Sequence, residues 1–140
     1  MTISSGQVIT SADQLKIHDL NGYLNFATPL TVTLASDVLT VVQNFNKVAV
    51  QSSTTDTCAT IGAQAVGFVL VLIPNNTGHT ITFTDTPTPA AGTLSLAGSF
   101  SMTGADASLT LISIGASWVE IARTPGMTAG KVIAITTVFA

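Results

Sequence analysis

The stretch 109-LTLISIGASWVEIAR-123 decides how the fold is read. Leu109, Leu111, Ile112 and Ile114 supply an apolar strand, Gly115-Ala116-Ser117 a turn, and Trp118 to Arg123 a returning strand. Side chains alternate across a strand, which puts Val119 and Ile121 on one face and Trp118, Glu120 and Ala122 on the other. Glu120, the only glutamate of the chain, and Arg123 are an odd number of positions apart and fall on opposite faces. The charge pair this allows crosses a subunit boundary, Glu120 of one chain meeting Arg123 or Lys131 of another. A rim salt bridge worth under ~1 kcal/mol is the plainer reading. Trp118, the only tryptophan, reads as a large apolar anchor in the core or at an interface.

The same alternation recurs outward from this hairpin. Leu30, Val32 and Leu34 face away from Thr31 and Thr33, and Val48 and Val50, Ile81 and Phe83, and Leu94 and Leu96 repeat the pattern. Thr makes up roughly a sixth of the chain, which favours strands over helices. Residues 66 to 73 are apolar at nearly every position, so this strand is expected to be covered on both faces, in a sandwich centre or between subunits. Asn21-Gly22, residues 74 to 78, Pro87-Thr88-Pro89, Gly104-Ala105-Asp106 and Pro125-Gly126 punctuate the runs with turn chemistry. The spacing predicts an all-β fold, an antiparallel β-sandwich or jelly-roll-like barrel. Residues 51 to 64 lack a clear pattern and read as a surface loop or an excursion toward a partner. Residues 1–20 read as an N-terminal arm with a first strand, 21–140 as a single β-sandwich domain, and 131–139 as a closing strand.

Composition limits what such a domain can do. Among 140 residues, 46% are hydrophobic but only 8% charged, against roughly 25% in an ordinary soluble domain. A folded monomer of this mass exposes about 6,800 Å², leaving roughly one charge per 600 Å². Either the outside is neutral and polar, as the abundant Thr and Ser permit, or much of it lies against other protein.

The net charge of −3 and only four basic residues, Lys16, Lys47, Arg123 and Lys131, argue against nucleic acid, since neutralised phosphates supply most of that affinity. A polybasic membrane anchor fails on the same count. The run Gly67 to Ile73 is about a third of a bilayer-spanning helix. The N-terminus lacks the order of a signal peptide, and a lone Cys58 forms no internal disulfide, so the chain is expected to stay in the cytoplasm where it is made.

Catalysis requires converging groups, and few are present. His18 and His79 are the only histidines, and with Cys58 they do not give zinc-ligand spacing. No Ser sits in a G-x-S-x-G elbow, and paired carboxylates are lacking around Glu120. Asp85 and Asp106 stand in or beside turns, where an Asx role is ordinary. The chain is therefore read as a non-enzyme with no cofactor and no metal.

The hairpin carries a resemblance. Leu109, Thr110, Leu111, Ile112, Gly115, Trp118, Glu120, Ile121 and Arg123 form a pattern similar to the closing hairpin of bacteriophage virion surface proteins, both head decoration proteins and the C-terminal regions of tail fibres and spikes. The run Asn75 to Phe83 and the segment 94-LSLAG-98 resemble the upstream part of that module, for a coverage of about residues 66 to 123. Val119 departs from the aromatic common there, and Ala116-Ser117 replaces a longer polar turn. The resemblance implies a homo-oligomer, usually a trimer, at the virion surface. A domain of this size suits a capsid decoration (cement) protein on the outer capsid surface, clamping neighbouring major capsid subunits. A tail fibre or spike receptor-binding (adhesin) domain is the alternative. Trp118, Glu120, Arg123, Phe68, Leu70 and Leu72 are the residues expected at the interface.

Overall fold

A computed structural model describes residues 26–126. The expected arm, the closing strand at 131–139, Lys131, Lys16 and His18 lie outside them. Among the described residues the fold is all-β, with eleven strands and no helix. In chain order these are β1 (Leu30–Thr33), β2 (Val38–Leu39), β3 (Phe45–Ala49), β4 (Thr55–Cys58), β5 (Thr60–Ile61), β6 (Val69–Pro74), β7 (Thr80–Phe83), β8 (Leu94–Ser95), β9 (Phe100–Thr103), β10 (Ser108–Ser113) and β11 (Trp118–Thr124).

Three sheets result. The largest runs β1-β3-β6-β10-β11-β8, a second is β4-β7-β9, and the third is the short pair β2-β5. Five strand pairs are parallel and three antiparallel. The antiparallel sandwich or jelly-roll-like barrel read from turn spacing therefore gives way to a β-solenoid-like stacking. In it β3 lies beside β1, β6 beside β3, β5 beside β2 and β7 beside β4, all parallel. Such stacking buries a continuous core that no single turn of the coil could bury alone. The antiparallel pairs β6-β10, β10-β11 and β7-β9 follow on from these turns.

The turns of this coil differ in length. Leu30 lies beside Asn46, sixteen residues on, whereas Phe45 lies beside Val71, twenty-six residues on. No fixed period is imposed on the sequence, and none is visible in it.

Side chains pointing inward from all three sheets form one core. Val48, Leu70, Leu72, Leu109, Leu111, Leu94 and Trp118 come from the large sheet, and Leu39 and Ile61 from the short pair. Cys58, Ile81, Phe83, Phe100 and Met102 come from the three-stranded sheet. The segment 51 to 64, which shows no pattern in the sequence, supplies β4 and β5. Its inward positions are Cys58 and Ile61, too few and too unlike for alternation to register. A tight turn at Ser36 and Asp37, both at positive φ, joins β1 to β2 through the Ala35–Val38 bridge. This two-residue left-handed geometry matches the twist of the flanking strands.

Candidate interaction site

The hairpin β10-β11 is where sequence parity fails. Ser108, Leu109 and Thr110 pair with Thr124, Arg123 and Ala122, but Leu111, Ile112 and Ser113 pair with Glu120, Val119 and Trp118. Ile121 is the extra residue of a β-bulge, with no partner on β10. One unpaired residue restores Arg123 to the side of the sheet that Glu120 and Trp118 occupy, and sends Ala122 to the other.

Glu120 and Arg123 consequently pair within one chain, and the pairing expected across a subunit boundary is corrected. The Arg123 guanidinium donates from Nε to Glu120 Oε1 at 2.5 Å and from its terminal nitrogen to Glu120 Oε2. It also donates to the Gly98 carbonyl at 2.8 Å, and its Cζ lies over the Phe100 ring, 4.9 Å from the ring centre. Glu120 Oε2 accepts a further bond from the Ala97 N–H at 2.9 Å. The pair fastens the 97–98 connection between β8 and β9 onto the hairpin. Its bidentate form is the geometry in which such pairs are strong. Arg123 holds the Glu120 carboxyl below its ordinary range, partly offset by burial and reinforced by the Ala97 N–H. Glu120 in turn holds the guanidinium above its usual value.

Trp118 is a core anchor. It is fully buried, donates Nε1–H to the Ile61 carbonyl at 3.3 Å, and meets the half-buried Phe68 edge to face with ring centres 6.1 Å apart. Its backbone N–H reaches the carbonyl of Thr93, just before β8, at 2.9 Å, and its indole ties the large sheet to β5. Leu70 and Leu72 are likewise fully buried in their own chain. Trp118, Leu70 and Leu72 have no surface to offer, and the interface role expected of them is corrected. Among the described residues the core covers one face of this strand, and Val69, Val71 and Ile73 on its other face are half-buried.

The outward face belongs to the neighbours of those leucines. Pairing aligns two rows across the outside of the large sheet: Phe45, Val71, Thr110 and Ala122 in one, Val69, Ile112, Val119 and Ser95 in the other. Ile73 flanks the first row beside Lys47, and the bulge holds Ile121 out at 55% exposure. Four strands ~4.8 Å apart and about five residues long make a planar patch of about 300 Å², interrupted by Thr110 and Ser95, within the range of the largest patch on an ordinary monomer, which is often functional.

Other residues noted in the sequence are placed apart from this face. His79 is half-buried at the turn before β7, where its N–H meets the Asn76 carbonyl at 3.2 Å and Asn76 Oδ1 accepts the Gly78 N–H at 2.9 Å. Asp85 Oδ1 accepts the Leu96 N–H at 2.8 Å, a local structural bond. Cys58 is buried, and desolvation, with Asp37 and Asp56 nearby, pushes its thiol up to about 12. Among the described residues, no three of His, Cys, Asp and Glu gather as a metal-binding group.

One buried residue carried no sequence signal. Asn46 stands fully buried between Leu30 and Leu72 with Nδ2 donating to the Gln43 carbonyl at 2.7 Å, and its Oδ1 has no partner.

No family model, no curated protein and no solved structure matches this chain.

Proposed function

We propose that the chain is a structural virion protein, a capsid decoration protein that assembles as a homotrimer and clamps neighbouring major capsid subunits on the outer capsid surface. The observation that carries this reading is the outward face of β3-β6-β10-β11, a regular apolar patch on a chain with very few charges. Burial of such a face drives association at roughly 25 cal/mol per Å² before the costs of ordering are subtracted. The patch is under half of the ~800 Å² that each partner gives to a stable interface. A trimer in which each copy touches two neighbours adds further surface, and repetition over a shell adds avidity. The hairpin resemblance supplies the virion context, and the Glu120–Arg123 clamp keeps the patch rigid, which lowers the cost of docking.

The test uses purified full-length chain and capsids, lacking it, of the virus that encodes it. Wild type is expected to bind and to raise the temperature at which the capsids rupture. A variant with Val71→Lys and Ile112→Lys, folded by circular dichroism, is expected to do neither. Unchanged rupture temperature with wild type would remove the reading.

A further inference from the structure

The coil has an open end where the chain enters it. Among the described residues β1 and β2, the strands of the first coil, each have a single partner, β3 and β5. Leu30 stands in the inward row that continues through Asn46, Leu72 and Leu109. Those three are fully buried, yet Leu30 is 48% exposed, and Phe26 and Val38 of the same coil are exposed as well. The Leu34 N–H donates to the Ala49 carbonyl at 3.0 Å, and N–H directions alternate along a strand, so those of Thr31 and Thr33 point away from β3. Neither meets an acceptor among the described residues. One strand further in, Asn46 Oδ1 is buried without a donor, which is uncommon in a completed core.

We propose that this end is the docking site of the chain's own residues 1–25, with 15-LKIH-18 added as a strand along the edge of β1. Gln43 Nε2 donates to the Thr28 carbonyl at 2.9 Å, which fixes the entering chain at this coil. Twenty-five residues precede Phe26, and sixteen suffice for the step from Leu30 to Asn46. One further coil is therefore within reach. Residues 15 to 18 alternate apolar and polar side chains, the period of a strand with one covered face. A step of fifteen residues sets Leu15 beside Leu30 and Ile17 beside Val32, which prolongs the inward row and turns Lys16 and His18 outward. Such a strand offers carbonyls to the Thr31 and Thr33 N–H groups. A terminal coil needs a polar outer side because nothing stacks upon it, and Asp13, Lys16 and Asp19 supply the charge. The cover also closes an edge that otherwise templates end-on pairing between copies, which leads to open filaments and not to a closed oligomer.

The test follows hydrogen exchange of single amides in the full-length chain by nuclear magnetic resonance, at high and at low protein concentration. In wild type the Thr31 and Thr33 amides are expected to exchange about a hundredfold more slowly than in an open chain, equally at both concentrations. Ile17→Asp, which sets a charge in the inward row, is expected to abolish that protection while the amides of β10 keep theirs. Lys16→Asp, one position away on the outward side, is expected to preserve it. The variant carrying Val71→Lys and Ile112→Lys is expected to preserve it too, because the face proposed for self-association is separate from this end. The two readings thus fail independently. Wild-type Thr31 and Thr33 amides that exchange at the open-chain rate would overturn the inference. Protection that disappears on dilution would also overturn it, since the edge would then belong to a second copy, and so would protection that survives Ile17→Asp.

Discussion

Glu120 and Arg123 share one side of β11 although three positions separate them, because Ile121 between them has no partner on β10. Removal of Ile121 should therefore be tolerated: Glu120 would still face Leu111, Ala122 Thr110 and Arg123 Leu109, now as an unbroken ladder. Removal of Val119 instead rotates Trp118 out of the core and should prevent folding. Circular dichroism and thermal melts of the two deletions make the comparison. A deletion of Ile121 as damaging as that of Val119 would contradict the bulge.

The clamp itself should be measurable through pH. Glu120→Gln keeps the shape and loses the charge, at an expected cost of roughly 1.5–3 kcal/mol at neutral pH, the range for hydrogen bonds to charged groups. The folded carboxyl is held below its ordinary value of 4.5, so the unfolded chain takes up the proton first as acid is added. The stabilisation is complete above that value and is lost as pH falls through the lower, folded one. Urea titrations of both proteins across the acid range should show their difference shrinking until the curves meet.

Cys58 gives the opposite dependence. Its folded thiol keeps its proton to about 12 while the unfolded one releases it from 9.0, so the native state binds more protons between these limits. Stability should fall with rising pH in that window by up to about 1.4 kcal/mol per unit, and Cys58→Ala should remove this slope. A chromogenic disulfide reagent at pH 8 should leave the native thiol untouched and modify it on denaturation.

Trp118→Ala should cost about 3–5 kcal/mol, the range for emptying a buried aromatic site. Trp118→Phe should cost less, losing the bond to the Ile61 carbonyl and part of the contact with Phe68. Chemical denaturation followed by circular dichroism, which does not depend on the replaced fluorophore, ranks the two.

The strand content was legible because β6, β7 and β10 alternate with inward Leu, Ile and Phe, and the Gly115 turn marks the hairpin plainly. Parallel stacking was not legible. Whether β6 pairs with β3 or with a sequential neighbour depends on contacts between residues far apart in the chain, and unequal coil lengths erase the repeat that would advertise it. β4 was missed because Thr55, Asp56 and Thr57 place polar groups on both sides, leaving Cys58 as its sole fully buried position. Leu70 and Leu72 stand out in the sequence for their hydrophobicity, yet they point into the core, and the residues on the outward face of the strand are Val69, Val71 and Ile73. The bulge was invisible because Ile121 and Ala122 are both apolar and either parity suits them.

The most direct test is the mass of the purified chain in solution by size-exclusion chromatography with light scattering, alongside the folded variant carrying Val71→Lys and Ile112→Lys. Wild type should elute as a salt-resistant trimer and the variant as a monomer. A wild-type chain that remains a monodisperse monomer at high concentration, its valine and isoleucine rows open to solvent, would contradict the account.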